Sequence, residues 1–234
     1  MQKSMIKLVS IADVVSITNA IFGFFAILLL LSDLISSEEM RLHISFSFIL
    51  LALLADGLDG FIARKTKKSD IGEYLESMAD MTSLIIAPAI FIYVVYHDLV
   101  LCCIYSHIYL LIALIVYLLI GIIRLASFHL MKNERLFIGL PASASTIILL
   151  VLAYFEVKFI HIFPAIVLIS LAMIINIPFP KTGYKINTIA AILIFLTIIL
   201  GKNYYGFAPI LLLVAILIYS IGGPFYTKFF VKNR

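Results

Sequence analysis

The chain has 234 residues, is 64% hydrophobic and only 13% charged, and has a mean hydropathy of +1.17. Domains that fold in water carry about twice that charged fraction, so the main solvent is lipid, and a soluble domain on one anchor is excluded. The net charge of +4 does not point to nucleic acid: no basic and aromatic run resembles a nucleic-acid groove, and Lys and Arg gather in the cytoplasmic loops of membrane proteins.

Eight apolar segments follow in chain order, over 11–32, 43–63, 75–97, 104–128, 139–156, 159–177, 187–201 and 207–224. A helix needs about 20 apolar residues to cross the hydrocarbon layer, and an open sheet edge finds no partners there. The expected fold is therefore all-α: a polytopic transmembrane helix bundle of about eight spans forming a single domain, 1–234. Merging or dropping the short segments after residue 139 gives a six-span alternative. The first run is too long for a signal peptide and is followed by further spans, so it is read as retained. With eight spans, thirteen Lys and Arg fall on one side and Arg41, Lys158 and Lys202 on the other, while Arg124 falls inside a span. That asymmetry places both termini in the cytoplasm. Cys102 and Cys103 are adjacent, which is neither a disulfide framework nor metal-site spacing.

Of thirteen acidic residues, five fall at span ends: Asp13, Asp56, Asp59, Glu76 and Asp80. A carboxylate at membrane depth costs about 2.5–3.5 kcal/mol even on a lenient scale, so each is a candidate for function. Asp56 and Asp59 are three apart and Glu76 and Asp80 four apart, so each pair shares a helical face. A short basic loop joins the two helices, which makes them expected neighbours. Four carboxylates that meet must be protonated, paired with bases or bridged by cations. Few bases are close, and clustered hard oxygens suit Mg2+ or Mn2+, with two ions balancing four charges. Gly57, Gly60 and Gly72 would let a ligand or a second backbone approach.

The stretch DGLDGFIARKTKKSDIGEYLESMAD, Asp56 to Asp80, resembles the signature of the CDP-alcohol phosphatidyltransferase family, D-x-x-D-G-x-x-A-R-x8-G-x3-D-x3-D. Asp56, Asp59, Gly60, Ala63, Arg64, Gly72 and Asp80 fall on matching positions. Arg64 and Gly72 are separated by seven residues rather than eight, and the third acid is Glu76 rather than Asp. More loosely, Asp13-Val-Val-Ser16 resembles the family's nucleotide-contacting segment in the first span. MADMTSLIIAPAIF, RLASFH from Arg124 and FIGLPASAS from Phe137 resemble its serine-using branch. The likeness covers a catalytic core of about 11–145.

The resemblance implies a phospholipid-synthesising enzyme in which an alcohol attacks the lipid-proximal phosphorus of a CDP-lipid and CMP leaves. It implies Asp56, Asp59 and Glu76 around one cation, and Asp56, Glu76 and Asp80 around the other. Asp80 would serve as general base, and Arg64 would grip phosphate oxygens. Asp13, Ser16, Gly60 and Ser69 would line the CDP-lipid site. Arg124 is either a side chain snorkelling to the interface or an anion contact, to serine's carboxylate or a lipid phosphate. Serine is the expected acceptor, with inositol phosphate or glycerol phosphate as alternatives. The site is expected at the cytoplasmic edge of the cell membrane, and the resemblance also implies that two copies can pair as a homodimer. A cation-coupled transporter using the same carboxylates is the reading from another class.

Overall fold

The computed structural model describes residues 9–63, 69–101, 104–128 and 136–228, with all side chains except those of 59–63, 99–101 and 128. Helix α1 (Ile11–Leu31) turns back into α2 (Glu38–Ala63), and the two pack along their length. A third rod follows: α3 (Gly72–Asp80), a π-helical segment (Met81–Ile86) and α4 (Ala87–Leu101). Helix α5 (Ile104–Phe128) leads to a short strand β1 (Leu136–Ile138). Then come α6 (Ala142–Tyr154), α7 (Phe159–Ile174), β2 (Pro178–Pro180), α8 (Tyr184–Leu200) and α9 (Asn203–Tyr226).

Five stretches, 11–31, 38–58, 72–98, 104–127 and 203–226, are long and apolar enough to cross a membrane, and α6, α7 and α8 are shorter apolar helices. Among the described residues the eight expected segments are thus eight separate rods, five of them long enough to span. Helix α6 reads as weak because of its place in the fold. It has thirteen residues, about 20 Å of helix, and ten of them are buried. It lies at the centre, against α2, α4, α7 and α9. Tyr204, Tyr205 and Gly206 adopt left-handed backbone angles, so the regular part of the last rod begins after them, as the hydropathy pattern expects.

Two features depart from the all-α expectation. Strands β1 and β2 pair antiparallel, Phe137 opposite Phe179. Three residues per strand are too few for an alternating pattern to register, and Pro178 and Pro180 favour an extended chain. Gly139, just after β1, has φ +76°, and a Cβ there would lie 2.2 Å from the Met173 carbonyl oxygen, so only glycine fits. The second feature is the π-helical segment. Pro88 has no N–H to offer the Leu84 carbonyl one turn earlier, and its ring crowds that oxygen. The chain widens, with the Ala87 N–H bonding back to Thr82. The Leu84 oxygen instead accepts from the Tyr117 hydroxyl (2.8 Å) and the Thr146 hydroxyl (2.6 Å). Two neighbouring helices, α5 and α6, are thereby fastened to the widened turn.

In lipid the apolar effect does not drive helices together, and interfaces favour small and polar residues. Helix α1 follows that rule. Val14, Ile21, Phe24, Phe25 and Leu28 are exposed on its outside. Its buried stripe is Asp13, Ser16, Asn19, Gly23, Ala26 and Leu30. One end of the bundle gathers the starts of α1 and α3, the ends of α2, α5 and α9, and the β pair. Tyr219 and Thr227 of the last rod tie β2 there by donating to the Pro180 (3.0 Å) and Pro178 (2.8 Å) carbonyls.

Candidate active site

Helix α1, with its polar stripe, packs against α2 and along the third rod, at α3, the π segment and α4. The two carboxylate-bearing spans are neighbours, as expected: α2 meets the third rod at the π segment and α4, and both α2 and α3 pack on α1. Helix α3 starts at Gly72, so Glu73, expected in the loop, lies exposed in its first turn.

Asp80 is the last residue of α3, buried at 9% exposure. One of its oxygens, Oδ1, accepts a hydrogen bond from the Asn19 side-chain amide at 2.9 Å. Glu76, one turn earlier on the same face, is half-buried, as is Asp56 on α2. Asp59 and Gly60 lie in the last turns of α2, but the Asp59 side chain and all of Arg64 fall outside the described residues. Among the described residues, no three His, Cys, Asp or Glu side chains are grouped to hold a metal ion. Asp56, Glu76 and Asp80 are thus not drawn together around one metal position here, and their role as ligands, with Asp59, belongs to the proposal below.

Asp13 is 3% exposed and has a structural task. Its Oδ2 accepts from the Ser10 N–H (2.6 Å) while its own N–H donates to the Ser10 hydroxyl (3.3 Å), a capping box that starts α1. Its other oxygen looks across to α3: a Cβ on Gly72 would lie 2.9 Å from Asp13 Oδ1 and 3.3 Å from Ser69 Oγ. So Asp13 of α1 meets Ser69 and Gly72, more than fifty residues on, in one small polar corner. The Ser69 hydroxyl also accepts from the Ile71 N–H (3.2 Å). Ser16 is buried one turn deeper and donates to the Ala12 carbonyl at 3.4 Å.

Arg124, near the end of α5, is 6% exposed, and its Nε–H donates to the Leu140 carbonyl at 3.4 Å. The guanidinium is turned into the bundle rather than snorkelling outward. It lies at the same end as Asp80, and α5 touches α3.

Three contributors were missed in the sequence: Asn19, the π segment and the glycine contact beside it. Gly23 lies against Ser83, where a Cβ would come within 2.6 Å of the Ser83 Cα. A signal was present. Asp13, Ser16, Asn19 and Gly23 recur at spacings of three, three and four, the face of one helix.

The arrangement is a set of buried acids and one buried guanidinium at one edge of a lipid-embedded helix bundle. The CDP-alcohol phosphatidyltransferase family model matches residues 9–177, and the chain belongs to that family. The CDP-diacylglycerol–serine O-phosphatidyltransferase of Methanocaldococcus jannaschii is 35% identical to it over 181 residues, covering 77% of this chain and 78% of that protein. The archaetidylserine synthase of Methanothermobacter thermautotrophicus is 32% identical over 185 residues, covering 76% and 73%. The CDP-diacylglycerol–serine O-phosphatidyltransferase of Saccharomyces cerevisiae is 33% identical over 87 residues, 37% of this chain and 32% of that protein. Membership sets the transporter reading aside: the chain is a phospholipid-synthesising transferase embedded in the membrane.

Proposed function

We propose that the protein transfers a phosphatidyl-type group from a CDP-lipid to the hydroxyl of serine, releasing CMP, at the cytoplasmic face of the membrane. The observation that carries this reading is the burial of Asp80 against α1. A carboxylate at membrane depth is turned into the bundle at the position of the motif's last acid. The names of the two relatives that cover three quarters of this chain support serine as acceptor. The excess of Lys and Arg on the loops at this end supports the cytoplasmic face.

The chemistry of the donor set fits divalent cations, which on binding would draw the acids together. Asp56, Glu76 and Asp80 offer hard oxygens, with Asp59 completing the motif, and such donors suit Mg2+ or Mn2+. Asp56, Asp59 and Glu76 would hold one ion, and Asp56, Glu76 and Asp80 the other. When bound, the ions neutralise the pyrophosphate and orient the attacking and leaving oxygens. The chain's own groups do the rest. Asp80 takes the proton of the serine hydroxyl as its oxygen bonds to the lipid-proximal phosphorus. The bond from that phosphorus to the bridging oxygen breaks, and CMP leaves with the electron pair. The corner of Asp13, Ser69 and Gly72, with Ser16 and Gly60, lines the nucleotide side. Arg64 grips phosphate oxygens through its planar fork. Arg124, buried at the same end, takes the serine carboxylate.

The test is CMP release by purified protein given Mg2+ or Mn2+, a CDP-lipid and serine. Serine-dependent CMP is expected, with little product from inositol phosphate or glycerol phosphate. Preference for either of those alcohols moves the acceptor assignment, and no CMP with any alcohol overturns the reading.

A further inference from the structure

Asn19 lies in the first half of α1 with no exposed surface. Its side-chain amide donates to Asp80 Oδ1 at 2.9 Å. Its own carbonyl oxygen, Oδ1, is buried and has no hydrogen-bond donor among the described residues. The orientation of the amide is dictated by its partner. Turned over, it would set a carbonyl oxygen against a carboxylate oxygen, lone pair to lone pair. One half of the amide is left unsatisfied so that the other half can reach Asp80. Leaving a buried acceptor without a donor lowers stability. The side chain accepts that loss at its Oδ1 while its N–H meets Asp80.

The surroundings hold this contact in register. One turn beyond Asn19, Gly23 brings the α1 backbone against Ser83, so close that a Cβ would lie 2.6 Å from the Ser83 Cα. Ser83 belongs to the π-helical segment, which begins directly after Asp80. That segment is fastened in turn by Tyr117 and Thr146 through the Leu84 carbonyl. The distance from α1 to the end of α3 is thus fixed by backbone contact, and Asn19 meets Asp80 across it. The chemistry of an amide suits the place. Lys or Arg would also hold the carboxylate but would cancel the negative charge that cations need, whereas a neutral N–H holds it without neutralising it.

We propose that Asn19 is a positioning residue for Asp80, its amide N–H fixing the orientation of the carboxylate that meets the cation and the attacking hydroxyl. The proposal rests on the role given to Asp80 under the proposed function. Two variants remove the N–H with opposite effects on packing: Asn19→Leu fills the space and Asn19→Ala empties it. Both are expected to lower kcat by ~10–100-fold, the usual cost of losing a partner that orients a ligand. The KM for CDP-lipid should stay within about threefold, because the loss falls on the transition state rather than on binding. Mn2+ affinity, read by electron paramagnetic resonance on purified protein without substrate, should fall by ~10–100-fold. The melting temperature of Asn19→Leu should fall modestly, because Asp80 loses one donor. Mn2+ affinity unchanged in whichever of the two variants folds overturns the proposal, and so does a kcat within twofold. A fall in melting temperature with Mn2+ affinity and kcat unchanged marks the residue as structural only. A parent protein that binds Mn2+ but turns over no serine sinks the acceptor assignment alone, and the Mn2+ comparison still decides the role of Asn19.

Discussion

The two ends of the bundle treat charge differently. At the end away from the site, charged groups stay near water and pair there. Lys202 bonds Glu156 at 2.9 Å and Arg41 approaches Asp33 at 3.8 Å, with every partner at least partly exposed. Such pairs contribute little to stability. At the other end, Asp13, Asp80 and Arg124 are buried, and they are the only buried Asp, Glu, Lys or Arg side chains among the described residues. Burying a charge at membrane depth is expensive, and the fold accepts it at one end alone. That concentration of expense marks where a charged ligand is to be met, and it separates residues retained for chemistry from residues retained for packing.

The largest way to break the comparison is Asp80→Asn. The amide keeps the shape and the contact with α1 but cannot take a proton or carry charge. Turnover should fall by about 10^3-fold, within the usual range for a lost general base, while CDP-lipid binding measured by calorimetry is largely kept. Near-normal turnover would remove Asp80 as base and leave its burial unexplained. Arg124→Leu comes next. If the guanidinium takes the serine carboxylate, the KM for serine should rise by roughly 30-fold or more, since truncating one partner of a buried charge pair costs about 2 kcal/mol upward. Arg124→Lys should rescue little, because the planar fork is lost. An unchanged KM for serine with either variant would reassign Arg124 to holding the Leu140 carbonyl and the start of α6.

Much of this division was legible in the sequence. The eight helical rods were readable because continuous apolar runs in lipid have one solution, a helix. The acids of the motif were readable because a carboxylate in such a run stands out. Asn19 was not, because an uncharged amide in a 21-residue apolar helix changes its hydropathy little, and its partner lies 61 residues away. The π segment was hidden for a related reason. Pro88 announces a missing N–H, but not that Tyr117 and Thr146 will satisfy the stranded carbonyl from two other helices. The short pair of β1 and β2 depends on Gly139 turning beneath the end of α7, a tertiary contact with no local pattern. The neighbouring of α2 and the third rod was readable from their short loop, but the place of α1 against both was not, because adjacency in sequence fixes which ends are near and not which faces touch.

The smallest effect sharpens the comparison from the quiet end. There the Tyr154 hydroxyl and His43 Nδ1 share a hydrogen bond at 2.9 Å, and the Tyr154 ring stacks on Phe46 with centroids 4.1 Å apart. Tyr154→Phe removes only the hydroxyl. The stack is apolar and survives, so the loss is one partly buried hydrogen bond, about 1 kcal/mol, read as a small drop in melting temperature in detergent. Turnover and the KM for serine should not move, because Tyr154 closes α6 at the end opposite Asp80. A change in kcat from this substitution would mean that α6, which is fastened to the π segment by Thr146, carries strain from one end of the bundle to the other. The two ends would then be one mechanical unit rather than a rigid base and a reactive edge.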